Sequence, residues 1–470
     1  MKPLKTLVFI LAVIALLAVI CVIFPKDGVL VGGKHYFFPT LEDIMVREKS
    51  VSASARIQLL ESQLQMQAAK DSARNDSLLF FEQFFETHPA AFSLPQTQPQ
   101  FFDALFAEMD NCCSNNTAVH ILHYGDSQIE EDRISGVFRQ RLQERFGGIG
   151  AGLMPAVQLI PSAAVGQSTG GNFGRYVVSG MHKNRAAHNR YGALGQVTQV
   201  TGSATVSFAA NNYGRTFENT KQWSRMRVFL GQHSKNFSAT LTAKNLKQKQ
   251  TVENQSNRNS VMLWDTDTLK RVSFTFSGSA EVLGIALESP CGVFVDNVPL
   301  RGSAGTFFTQ IEKQSVEFML NAMNVRLIIL QFGGNMMPQI NSQKGIDKYM
   351  ETFSAQIRYL QTLCPQSKIL VIGPADMSKK VRGKLQTYPF LPELVEAMKI
   401  TANQSGAAFW NMFAVMGGSG SMIEWVREKP TLAAPDYIHF TPRGANKAGE
   451  MLYEAMMKYY DFYKFNNNNK

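Results

Sequence analysis

Two stretches of this chain, in which apolar strands alternate with amphipathic helices, are separated by a long stretch of strands alone, and few architectures accommodate that order. TAVHILHYG (Thr117–Gly125) reads as a buried strand. Ile134, Phe138, Leu142 and Phe146 then recur every four residues, the apolar stripe of a helix expected to begin after Ser127. The pattern returns as VRLIILQF (Val325–Phe332), a helix through Ile346, Met350, Phe353, Ile357 and Leu360, KILVIG (Lys368–Gly373), a helix over Leu391–Ala402, AAFWNM, and a last helix over Arg443–Tyr460. Such alternation predicts a parallel sheet covered by helices on both faces.

From about Tyr191 to Leu300 the runs are short and alternating (ATVSFAA, MRVFLGQ, SATLTAK, VMLWDTD, RVSFTFSG, EVLGIALE, GVFVDNV), separated by Gly, Asn, Ser and Asp. That predicts a jelly-roll-like β-sandwich inserted into the α/β domain. The expected boundaries are 101–170 and 301–465 for the two parts of the α/β domain and 171–300 for the insertion. With 470 residues, 45% of them apolar, the chain can bury more than one core.

Leu7–Phe24 (LVFILAVIALLAVICVIF) carries no charge, follows Lys2 and Lys5, and stops at Pro25-Lys26-Asp27. It exceeds a signal-peptide core and no small-x-small cleavage site follows, so residues 1–25 read as a signal anchor. Ile20 before Cys21 argues against a lipoprotein. The flanking lysines predict a single pass through the inner (cytoplasmic) membrane with the bulk of the chain extracytoplasmic or periplasmic. Residues 26–100 read as stalk and lead-in: the polar stretch Ser50–Ser77, a Phe-rich segment (Phe80, Phe81, Phe84, Phe85), then SLPQTQPQ.

The formal charge of +10 is spread over the whole length, with no basic block of the kind a nucleic-acid arm shows. Cys21, Cys112, Cys113, Cys291 and Cys364 make neither a zinc pattern nor a disulfide framework; one disulfide is the most they allow, and the compartment is not legible from them. His120, His123, His182, His188 and His233 lack metal-ligand spacing and read as structural. The glycines of ERFGGIGAG follow a helix, where a dinucleotide site needs a strand, and there is no phosphate-binding loop. No metal or cofactor is expected.

Four places carry chemistry. Ser127, in Gly125-Asp126-Ser127, ends a strand at the carboxyl edge of a parallel sheet, where backbone N–H groups can meet a developing oxyanion. Asp436 and His439, in APDYIHFTPRGANKAG, place a carboxylate three residues before an imidazole, a pairing that can orient and charge a base. Asn335 follows Gly333-Gly334 at the end of a strong strand and can offer its amide. Gly302 and Gly305, in LRGSAGTFF, stand where the insertion returns the chain, and either can offer an N–H.

Ser, Gly, Asn and Asp-x-x-His in this order resemble the four blocks of the SGNH (GDSL-type) hydrolases. The resemblance implies a flavodoxin-like fold, Ser127 as nucleophile, His439 and Asp436 as base and orienting acid, and an oxyanion hole from the Ser127 N–H, Gly302 (alternatively Gly305) and Asn335. Two positions depart from the pattern: Met336 replaces the usual Asp after the block-three Asn, and two glycines compete in block two. With its insertion and anchor the chain resembles bacterial peptidoglycan O-acetylesterases, in which a carbohydrate-binding-like β-sandwich interrupts the catalytic domain. That implies a serine esterase acting on O-acetylated cell-envelope glycan, peptidoglycan foremost. An O-acetyltransferase working beside a membrane-bound acyl carrier protein would use the same residues, whereas in a non-catalytic glycan-binding protein the β insertion would do the work and the α/β domain would be scaffold. Tyr213, Trp223 and Trp264 are the aromatics available to stack on sugar, although core packing explains them as well.

Overall fold

Five strands form one parallel sheet in the order Gly292–Pro299, Ala118–Gly125, Val325–Gln331, Lys368–Ile372, Ala408–Trp410. The structure is a computed structural model that describes residues 3–25, 29–32, 34–36, 52–68, 74–95, 99–179, 184–212, 216–254 and 257–467. Both faces of the sheet are covered, which is why its strands read as nearly unbroken apolar runs. Ile121, Ile329 and Ile372 enter a core beneath the helices Ser135–Phe146 and Pro442–Asn467. Their neighbours Leu122, Leu330 and Val371 enter a second core beneath Lys313–Ala322, Gln343–Leu363 and Leu391–Gln404. Each such side chain contributes about 1.5–3 kcal/mol on burial.

The register brings the strand ends together. Gly125 pairs with both Pro299 and Gln331, Gln331 with Ile372, and Ile372 with Trp410. The loops that follow therefore leave one edge of the sheet side by side, the position at which open α/β sheets build their sites.

Four of the five strands are those expected from sequence; the fifth is a correction. The sequence pattern groups GVFVDNV with the insertion, yet Gly292–Pro299 is the edge strand of the parallel sheet, paired along its length with Ala118–Gly125. Its alternating appearance comes from Asp296, which is fully buried because His120 pairs with it. The inserted strands accordingly run from Gly152–Met154 to Arg271–Glu288, earlier at both ends than 171–300.

Among the described residues, eight antiparallel strands make up the insertion. The 18-residue strand Arg271–Glu288 organises them: its first part pairs with Gln196–Ala210 and Phe237–Ala243, its last part with Trp223–His233 and Gly152–Met154. Register shifts between Ala280 and Gly284 bend it, so the sheet folds over a core that includes Phe208, Val228, Phe274 and Ile285. Trp223 and Trp264 lie in that core, 0% and 2% exposed, and are not available to stack on a sugar. Tyr213 and His182 lie outside the described residues.

A charge cluster, fully buried except for the 12% exposed Arg227, joins insertion to sheet. His120 lies 2.7 Å from Asp296 and 3.2 Å from Glu288, Arg227 lies 2.6 Å from Glu288 and bonds the carbonyl of Ala322, and Asp296 accepts from Leu153 N–H. Burial alone would neutralise His120, but the two carboxylates outweigh it and raise its pKa to about 9. A disulfide, Cys113–Cys291, closes the junction across 178 residues of sequence.

The apolar helix Pro3–Ile23 contains one segment, Leu4–Ile23, long and apolar enough to cross a membrane. The expected stalk is not a free spacer throughout. On the helix Ala53–Ala68, Ala53 and Ile57 are buried and Arg56 donates to Gly417 O at 2.7 Å. On Arg74–Thr87, Phe81 and Phe85 pack against Phe462.

Candidate active site

Beyond Gly125 the chain turns sharply. Asp126 caps the turn by accepting the Gln128 N–H at 3.0 Å, and Ser127 opens a short 3-10 segment, Ser127–Asp132. The α-helix does not follow directly: Glu131, Asp132 and Ile134 adopt left-handed φ values of 56°, 58° and 62°, and the helix begins only at Ser135. Three left-handed non-glycine residues are costly. Asp132 compensates by pairing with Arg139 at 2.8 Å and accepting from Ser162 and the backbone N–H groups of Ala163 and Ala164.

Ser127 Oγ lies 2.8 Å from His439 Nε2, and His439 Nδ1 lies 2.7 Å from Asp436 Oδ2. The network assigns the tautomer: Nδ1–H donates to the carboxylate, leaving Nε2 to accept from the serine hydroxyl. Asp436 Oδ1 accepts the N–H groups of Ile438 and His439 at 2.9 and 3.0 Å. Burial pushes Asp436 upward, but its bond from His439 and these N–H donors outweigh that, and its pKa lies below the ordinary carboxylate value.

These groups line an open cleft of about 570 Å³, together with Gly302, Asn335, Arg133 and Arg301. The N–H groups of Ser127 and Gly302 have no partner among the described residues. The two candidate glycines stand in different surroundings. Gly305 donates its N–H to Ser303 Oγ and is packed so closely that a Cβ would come within 2.5 Å of the Phe332 ring, whereas Gly302 borders the cleft.

Asn335 reaches the cleft, but both hydrogens of its amide are engaged, by Asp126 Oδ2 at 2.9 Å and Ser303 O at 3.1 Å. Donation to a third acceptor would have to replace one of these bonds. Asp126 is held by opposing effects: burial raises its pKa to about 6, against the Gln128 N–H, the nearby His439 and the Asn335 amide.

Sequence reasoning missed two elements. Gln128 donates to Ile438 O at 2.5 Å and accepts from Phe440 N–H at 3.4 Å, gripping the backbone on both sides of His439; its only signal was adjacency to Ser127. Arg301 forms a two-pronged ion pair with Glu130 at the rim of the cleft, for which 171 residues of separation left no signal. Among the described residues no group of His, Cys, Asp and Glu has the arrangement of a metal site.

No family model matches the chain, and no curated protein matches it. Among solved structures it is similar to a peptidoglycan O-acetylesterase, with a TM-score of 0.61 and 20% identity over 77% of this chain and 96% of that one. A family two carbohydrate esterase from Cellvibrio japonicus (TM-score 0.25, 9% identity, 64% of this chain and 99% of that one) is a distant likeness. So is a salicylyl-acyltransferase from a tetracycline biosynthetic pathway (0.28, 9%, 64% and 95%). With the first of these the chain shares its fold over most of both chains; in this chain that fold is a parallel α/β sheet interrupted by an antiparallel β insertion.

Proposed function

We propose that this chain is a serine esterase that removes O-acetyl groups from cell-envelope glycan, with peptidoglycan as the substrate. The observation that carries the reading is the relay from Ser127 through His439 to Asp436, at 2.8 and 2.7 Å, beside two unpartnered backbone N–H groups in an open cleft. The shared architecture with a solved peptidoglycan O-acetylesterase supports the choice of substrate.

In this mechanism Ser127 Oγ attacks the acetyl carbonyl while His439 Nε2 takes its proton, and the Asp436 carboxylate stabilises the imidazolium. The tetrahedral oxyanion is stabilised by the Ser127 and Gly302 N–H groups. Collapse expels the sugar oxygen, which receives the proton from His439 and leaves an acetyl-Ser127 ester. A water molecule, deprotonated by His439, attacks that ester; acetate departs and the serine hydroxyl is restored. The side chains of His439 and Asp436 are 34% and 46% exposed, so water reaches the acyl intermediate. That favours hydrolysis over transfer to a second sugar, which requires water to be excluded.

The apolar N-terminal segment is proposed as a signal anchor in the inner membrane, with the catalytic part outside the cytoplasm; the Cys113–Cys291 disulfide is in keeping with an oxidising compartment. The test is acetate release from O-acetylated peptidoglycan by the full-length chain in detergent. Ser127→Ala is expected to lower the rate by about three orders of magnitude or more. Turnover near the wild-type rate in that variant would defeat the mechanism.

A further inference from the structure

Resting on the esterase reading, we propose that the Glu130–Arg301 ion pair is a positioning device that holds the Ser127 and Gly302 N–H groups at the separation a tetrahedral oxyanion needs. Glu130 lies three residues after Ser127 and Arg301 immediately precedes Gly302, so the pair ties the segment bearing one donor to the segment bearing the other. Arg301 Nε and Nη2 meet Glu130 Oε1 and Oε2 at 2.5 and 2.6 Å, the parallel geometry that fixes a guanidinium in orientation as well as distance. Glu130 is 6% exposed and Arg301 67%, so the guanidinium closes over a buried carboxylate for which no other cation is in reach among the described residues.

Neither segment lies in an α-helix or a strand: Ser127 opens a short 3-10 segment whose φ/ψ become non-helical at Glu130 and Glu131, and Gly302 lies in a turn. The Ser303 N–H donates to Leu300 O at 3.0 Å, which makes Leu300–Ser303 a four-residue turn with left-handed Gly302 (φ 73°) in third place, as a type II turn requires. The Arg301–Gly302 peptide is the middle peptide of that turn. Conversion to a type I turn rotates this peptide by roughly half a turn and sends the Gly302 N–H the opposite way. Gly302 itself faces open space, with nothing within 4 Å of where its Cβ would stand. What holds the choice is the side chain of Arg301, fixed at both prongs. On the other side of the cleft, the left-handed residues after Glu130 interrupt any helical ladder, so the Ser127 turn also gains a fixed point from this pair.

The test uses the full-length chain and acetyl-ester turnover. Arg301→Gln and Glu130→Gln are each expected to lower kcat by about 10- to 100-fold with KM within about twofold, since misplaced groups cost rate more than ground-state binding. Arg301→Lys, which keeps the charge and one prong, recovers part of the loss. The double variant is no worse than the poorer single one, because the pair is broken only once. Unchanged kcat in either single variant, a loss carried by KM, or additive losses in the double variant would overturn the proposal. Thermal melting accompanies each variant; should Arg301→Gln fail to fold, Glu130→Gln and Arg301→Lys carry the same test. Ser127→Ala separates the two levels: full activity there defeats the esterase reading, whereas an inactive Ser127→Ala beside a fully active Arg301→Gln defeats the positioning role alone.

Discussion

Two histidines in this molecule face a carboxylate through Nδ1 at the same 2.7 Å: His120 with Asp296, and His439 with Asp436. Their second nitrogens differ. Nε2 of His120 meets Glu288 and Arg227 with no exposed surface on the imidazole or either carboxylate, so its proton has nowhere to go. Nε2 of His439 meets a serine hydroxyl in an open cleft. The same dyad is a rivet in one place and suited to proton transfer in the other, and the distinction lies in solvation and in what the far nitrogen touches. A histidine–carboxylate pair is therefore not by itself a sign of catalysis.

Exchanging the probes between the two dyads gives the largest effect. His439→Ala is expected to lower esterase kcat by about four orders of magnitude or more. It should leave the melting temperature within about 2 °C, since half-exposed side chains away from a packed core contribute little to stability. A large fall in melting temperature, or retention of more than a tenth of the activity, would erase the distinction.

The reciprocal change, His120→Ala, leaves Asp296 and Glu288 buried with half of their compensation gone. Breaking a buried pair in this way costs about 3–5 kcal/mol, to be read as a shift in the urea unfolding midpoint. The protein that remains folded should hydrolyse acetyl esters at close to the normal rate. If stability is unaffected, the cluster is not what fastens the insertion to the sheet.

The contrast also explains which parts of the molecule could be read in advance. Ser127, Asn335, Asp436 and His439 were legible because each follows an apolar strand or precedes a helix, and chain order is visible in sequence. The flanking strands were legible because burial on both faces leaves a run such as VRLIILQF unbroken. Gly292–Pro299 was not, because Asp296 looks like a solvent-facing position until His120, far away in sequence, is known to stand beside it. The late helix start at Ser135 was equally hidden: Glu131, Asp132 and Ile134 are left-handed through long-range contacts such as Asp132 with Arg139 and Ser162, and no local preference announces that. The pairing of Cys113 with Cys291 depends on the return of the insertion to the sheet edge, which spacing does not encode.

The finest test of the comparison is the pH dependence of stability. The pKa of His120 is raised from the ordinary 6.5 to about 9, so the native state holds its proton more tightly than the unfolded chain does. The stabilisation this provides is complete below about pH 6.5 and is lost as pH rises through 9. Glu288 is displaced the other way: burial opposes its charge, but Arg227 and His120 overcome that and lower its pKa to about 2. Its contribution is complete above about pH 4.5 and is lost as pH falls through 2. The junction is therefore most secure between about pH 4.5 and 6.5. Urea unfolding of the wild type and of His120→Asn across pH 5–9.5 isolates the alkaline arm, because the variant has no imidazole to titrate. The stability difference between them should shrink by about 3 kcal/mol from pH 6.5 to beyond 9, the equivalent of that pKa displacement for a group wholly out of solvent. A difference that stays constant across the range would mean that the folded protein holds the His120 proton no more tightly than the unfolded chain does, and one that grows from pH 5 to 6.5 would mean that His120 is neutral when folded and that Arg227 alone balances the two carboxylates.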